Sequence, residues 1–208
     1  MGAGGIGSSL VELLCPAISA SRFSIDLTLL DSDLISEENL AFQRFSQGEI
    51  GMAKVSALAI RHSSRGAGVA VNALVEDLCQ KEQISGHDLI IIAVDRPEPR
   101  RLVHRCEADW FDLRCMADGW LMLDHTTPGA IIDMLTPNHP PASCQHPGAL
   151  ADSNIRYGYA VAAAHGAEWV MQWLRERSGL DSQRPLPSMG RISTGSLPFP
   201  VMREVEAN

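Results

Sequence analysis

The chain opens with Gly2-Ala3-Gly4-Gly5-Ile6-Gly7, runs into an amphipathic segment at residues 8–18, and then reads Ile25-Asp26-Leu27-Thr28-Leu29-Leu30-Asp31-Ser32-Asp33. Gly2, Gly4 and Gly7 have the G-x-G-x-x-G spacing of a nucleotide loop, in which glycines let the backbone turn tightly and approach a phosphate. Leu10, Val11, Leu13, Leu14 and Ile18 fall roughly on one helical face. A helix starting there points its free N–H groups and positive dipole end at the same anion. Asp31 closes an apolar strand at residues 23–31, roughly the ~20 residues further on at which an acid can accept ribose hydroxyls. A tight turn and an ordinary strand-end acid would explain each feature alone; their spacing points to a bound nucleotide.

Such a loop ordinarily follows a buried strand, and here only Met1 precedes it. The expectation is therefore a sheet whose first strand is missing, as in an N-terminally truncated product. Losing a central parallel strand is costly, because both neighbours need its hydrogen bonds and its apolar faces.

Working outward, residues 52–62 have helical spacing and residues 68–74 alternate like a strand. A short helix is expected at 75–83. Leu89-Ile90-Ile91-Ile92-Ala93-Val94-Asp95 is a continuous apolar run that ends in an acid. It suits a buried parallel strand delivering a carboxylate at its C-terminal edge. Residues 97–109 suit a helix with proline in its first turn, whose arginines (Arg96, Arg100, Arg101, Arg105) form a solvated face. Residues 113–117 and 120–124 read as a hairpin around Asp118-Gly119. Residues 126–148 hold five of the twelve prolines and read as a loop. A long helix is expected at 155–177, small at Ala160, Ala162, Ala163 and Ala164 and bulky at Trp169 and Trp173. The Pro/Ser/Gly-rich stretch 179–208 reads as an extended tail. The whole is α/β, a Rossmann-like, mostly parallel sheet with helices on both faces and an antiparallel C-terminal extension. Residues 1–178 form one nucleotide-binding domain.

With 208 residues and 45% apolar composition, a single domain with a real core is expected. The formal net charge of −8 argues against nucleic acid as the main partner. No apolar run reaches the ~18 residues that span a bilayer, and no signal peptide is evident, so a cytoplasmic setting is expected. The five cysteines contain no C-x-x-C pair, so no zinc is expected. Lys54 and Lys81 are the only lysines.

Gly2 to Ser8, the Leu27-Thr28-Leu29-Leu30-Asp31-Ser32-Asp33 strand end, Asn39-Leu40 and Gly51-x-x-Lys54 together resemble the ThiF/ubiquitin-activating-enzyme superfamily. Its members adenylate the C-terminal carboxylate of ubiquitin-like proteins or sulfur carriers with Mg-ATP. The resemblance runs to about residue 177. It implies that Gly4, Gly5 and Gly7 cradle phosphates, Asp31 holds the ribose, and Asn39, Gln43 and Lys54 line the triphosphate. It also implies that Asp95 binds magnesium, and that the protein forms a homodimer and meets a ubiquitin-like or sulfur-carrier partner. The family pattern N-L-x-R-Q reads here as Asn39-Leu40-Ala41-Phe42-Gln43-Arg44, so its arginine is displaced to Arg44 or replaced by Phe42. A one-residue step rotates a helical side chain by about 100°. Arg44 either reaches the phosphate by a local shift or leaves the site crippled, as in a non-catalytic relative that binds nucleotide or a partner. Some members carry a cysteine nucleophile in the loop after the sheet. Cys144 sits in that place with His146 nearby, and either acts so or simply packs the loop. Hydride transfer would leave Asp33 and Lys54 without a task.

Overall fold

Ile6, Leu10, Leu14 and Ile18 recur every fourth residue, and all four are buried. They put one side of helix α1 (Gly5–Ser19) into the core. The computed structural model describes residues 2–63, 68–141 and 143–199. After α1 come β1 (Ile25–Leu30), α2 (Lys54–His62), β2 (Val69–Leu74), β3 (Leu89–Ile92), α3 (Pro97–Val103), β4 (Asp109–Met116) and β5 (Gly119–Asp124). Then follow α4 (Gly129–Leu135), α5 (Gly158–Arg177), β6 (Ser188–Arg191) and β7 (Gly195–Pro198).

The strands form two ladders. β1 pairs with β2 in parallel, and a five-stranded sheet runs β3-β4-β5-β6-β7. The β3–β4 pairing is parallel and the other three are antiparallel. In the larger sheet the side chains alternate between two cores. Ile91, Phe111, Leu113, Trp120 and Met122 join α1 and α5 on one face. Ile90, Ile92, Trp110 and Leu123 meet Val103 of α3 and Ile132 of α4 on the other. α5 comes close because it is small where it crosses the sheet: a Cβ at Gly166 would stand 2.6 Å from a Leu113 methyl. Its bulky end also belongs to the core, with the Trp169 and Trp173 indoles donating to Asp124 and Asp109.

No strand of the described residues joins β1 to β3. Gly2 lies between their C-terminal ends. Its N–H donates to Leu30 O at 2.9 Å, and a Cβ on it would lie 2.3 Å from Ala93 O, just past β3. Gly2 also has φ +70°, a conformation that costs glycine least.

Several sequence expectations are corrected. Residues 75–83 are not an α-helix; only a 3-10 turn forms, at Lys81–Ile84. The helix expected at 97–109 stops at Val103. Trp110 and Phe111 face opposite cores, a period of two, so the chain there is strand β4, which begins well before residue 113. The proline-rich loop contains α4. The expected tail supplies β6 and β7, which lengthen the sheet beyond β5. Pro198 sits in the outermost strand, where a missing N–H is tolerated. The arginine face is not all solvated: Arg100 is only 5% exposed. No described helix is long and apolar enough to cross a membrane.

Candidate nucleotide site

A cavity of about 1960 Å³ opens at the C-terminal ends of β1 and β3. Gly4 and Gly5, where α1 begins, form part of its wall. Neither a side-chain cap nor an acidic residue occupies that first turn, so its N–H groups, apart from that of Gly5 beside Cys144, and the positive dipole end are left for an anion. A Cβ at Gly4 would meet nothing within 4 Å, while one at Gly7 would lie 1.8 Å from Gly2 O. Gly4 thus faces the cavity, and Gly7 serves the tightness of the turn behind it.

Asp31 anchors that turn. One carboxylate oxygen accepts the Ala3 N–H at 2.5 Å and the other accepts the Asp33 N–H at 2.8 Å. Asp31 also lines the cavity, and each carboxylate oxygen keeps a lone pair that can accept a further bond. Lys54 begins α2. Its N–H donates to Asp33 O, and its ammonium lies 2.7 Å from the Asp33 carboxylate. The lysine side chain is 7% exposed and the aspartate 66%. Asp33 was visible in the sequence as the second acid of D-x-D, yet its pairing with Lys54 was not foreseen.

Asn39 and Gln43 line the same cavity. Asn39 Oδ1 accepts the Ser36 N–H, whereas Gln43 Oε1 is buried with no protein partner. Arg44 lies elsewhere: its N–H and Nε donate to Ser8 and Ser9 Oγ on α1. It borders a separate crevice with Glu12 and Arg61. Phe42 holds the inward place, its ring edge-on to Tyr159. The one-residue displacement has therefore carried the guanidinium around to the outer side of α1.

Asp95 follows β3 and lines the same cavity, 52% exposed, with Arg96 at 3.9 Å. Arg96 also pairs with Asp77 at 3.0 Å. The Ser32 hydroxyl and then Arg96 hold the Asp77 carboxyl below its usual range. Behind Asp95 lies a buried group that the sequence did not show. Asp112, with no exposed surface, accepts from Arg100 and from both Nε and Nη2 of Arg114. His104 Nε2 is 3.0 Å from the same carboxylate. Burial, and then the neighbouring guanidiniums, lower His104 to about 3. Arg100 also donates to Val94 O, next to Asp95, and so steadies that strand end.

Cys144 borders the cavity on the loop before α5. Its Sγ lies 3.1 Å from where a Gly5 Cβ would be. A hydrogen bond from Cys115 lowers its pKa; burial opposes this, and the Gly5 N–H and the Lys54 charge assist it. The Gln145 amide pins the loop through both backbone groups of Arg156.

Lys54, Asp95 and the opening glycines thus border one cavity, as the nucleotide reading requires. The ThiF family's sequence model matches residues 1–186. This chain belongs to the ThiF family. Solved structures with the same fold include E. coli MccB with ATP (TM-score 0.71, 17% identity, covering 99% of this chain and 64% of that one). The microcin C7 biosynthetic enzyme MccB with N-formylated MccA gives a TM-score of 0.69 at 16% identity, over 99% of this chain and 64% of that one. PaaA gives 0.68 at 14%, over 98% and 63%. This ThiF-family chain spans under two thirds of the length of the chains in those three structures. No curated protein matches it in sequence.

Proposed function

We propose that the chain is an ATP-dependent adenylyltransferase, transferring AMP to the C-terminal carboxylate of a ubiquitin-like or sulfur-carrier protein. The supporting observation is that Gly4, Gly5, Asp31, Gln43, Lys54 and Asp95 line one cavity. The residues suit the nucleotide. Gly4 leaves open space beside the free helix N-terminus, and the buried Gln43 oxygen wants a donor such as a ribose hydroxyl. Magnesium needs few protein ligands, because it keeps waters and binds phosphate oxygens. Asp95 alone suffices to hold it, although no cluster of three or more His, Cys, Asp or Glu exists among the described residues. When bound, the ion offsets phosphate charge.

The residues divide the remaining work. Asp31 accepts from the ribose while keeping the glycine turn closed. Lys54 exchanges Asp33 for phosphate oxygens, so positive charge stands where pyrophosphate departs. The substrate carboxylate then forms its bond to the α-phosphorus as the bond to pyrophosphate breaks, in a site whose donors are already oriented. Cys144 Sγ serves as the next acceptor: it attacks the acyl carbon, AMP leaves, and a thioester forms. The family resemblance adds a homodimer, and the sequence reading a cytoplasmic setting.

ATP–pyrophosphate exchange in the presence of carrier proteins tests the reading. Exchange should require magnesium and fall at least a hundredfold in Lys54→Ala and Asp95→Ala. The position of Arg44 outside the cavity favours a second reading, a ThiF-like binding protein without catalysis. ATP binding by calorimetry with no exchange would select it.

A further inference from the structure

We propose that Cys115 and Cys144 are a reversible dithiol/disulfide pair at the cavity wall, oxidised by exchange with a small disulfide such as oxidised glutathione. Four observations carry it. Cys115 lies on β4 opposite Trp120, and the Ala117 N–H, two residues on, donates to Cys144 O at 2.9 Å. That bond fastens the loop to the strand end beside the two sulfurs. Each thiol is the largest influence on the other's ionisation, which puts the two sulfurs side by side. Both residues line the same cavity and both are half-buried, so a small disulfide can reach them. None of the other three cysteines lines that cavity: Cys15 is buried, Cys79 is exposed, and Cys106 turns to Ala108 O.

The roles follow from the surroundings. Cys144 has the Gly5 N–H and the Lys54 charge beside it, which favour a thiolate. Cys115 is held in the thiol form, chiefly by its bond to Cys144 and then by burial. The Cys144 thiolate attacks one sulfur of oxidised glutathione, the S–S bond breaks, and one glutathione thiolate leaves. Cys115 then gives up its proton and attacks the Cys144 sulfur, displacing the second glutathione. Two protein thiols are oxidised and two glutathione thiols are produced. The product ties the loop to β4 and draws the Cys144 sulfur away from Gly5. It closes the thiol to acylation and alters the wall where the glycines receive an anion. None of this depends on the adenylation reading, because the disulfide can be mapped without any nucleotide or carrier.

The test is a redox titration of the full chain in oxidised and reduced glutathione, quenched by alkylation, followed by intact mass and peptide mapping. The expected result is loss of two hydrogens, one linked Cys115–Cys144 peptide, three alkylated cysteines, and full reversal by dithiothreitol. Cys115→Ser should instead trap a stable glutathione adduct on Cys144. Wild-type protein that keeps Cys144 free at every ratio, or holds the adduct there with Cys115 still free, overturns the proposal. The mapping uses unaltered protein, so a variant that fails to fold does not decide the matter.

Discussion

The two ladders that flank Gly2 are built differently. In β3, β4 and β5 most residues are buried on both faces, between α1 and α5 on one side and α3 and α4 on the other. In β2, burial alternates with exposure, and Leu74 at its end is 40% exposed. Stability is therefore concentrated in the larger sheet. Three side chains that would grip a nucleotide (Asp31, Gln43 and Lys54) belong to the thinner half, while Asp95 and the Cys144 loop stand on the thick one. The site spans the seam, so it can loosen without the core unfolding, as ligand-binding regions of low local stability commonly do.

That division can be broken from the thick side. Asp112→Ala leaves Arg100 and Arg114 buried without their shared acceptor. It should cost about 3–5 kcal/mol, read as a lower denaturant midpoint for the whole protein. Gly7→Ala pushes a methyl against Gly2 O and must displace the glycine turn. The expected cost is about 1–3 kcal/mol, with loss of nucleotide binding by calorimetry. Asp31→Ala releases the turn by removing the carboxylate that accepts two backbone N–H groups, each bond worth about 1 kcal/mol. Hydrogen exchange should quicken at residues 2–7 and in β1 while β4 and β5 stay protected. Equal quickening in both ladders would erase the contrast.

A further effect, confined to acid pH, sharpens it. The folded pKa of His104, about 3, lies below its ordinary 6.5. The unfolded chain takes a proton that the folded one refuses, so this residue's contribution is full above about pH 6.5 and is lost as pH falls towards 3. His104→Gln should flatten stability against pH across that window. Amides of β4 should report the change before those of β1.

Much of the thin half was legible because its signals are local. The glycine spacing, the acid after the apolar strand and Lys54 opening a helix are each fixed by a few adjacent residues. Asp95 was legible for the same reason, at the end of an unbroken apolar run. What escaped depends on pairing. Arg100, His104, Asp112 and Arg114 come together only once β3 lies beside β4, and nothing in their spacing announces it. Cys115 and Cys144 meet across a loop and a strand end. The β6–β7 hairpin was masked by composition: Gly190, Gly195 and Pro198 lower strand propensity, yet an existing sheet edge at β5 supplies the partner. Phe42 against Arg44 was legible as an anomaly, but its outcome, a guanidinium on the far side of α1, needed coordinates.

The ion pair of Lys54 with Asp33 has a bearing on selectivity. Any anion that engages the ammonium competes with an attached carboxylate 2.7 Å away, whose effective concentration is set by the fold rather than by solution. A singly charged visitor gains little by the exchange; a polyanion gains more, since its remaining charge still faces the helix start and Asp33 is already solvated when released. The tethered carboxylate thus works as a threshold, admitting ligands by the charge they bring.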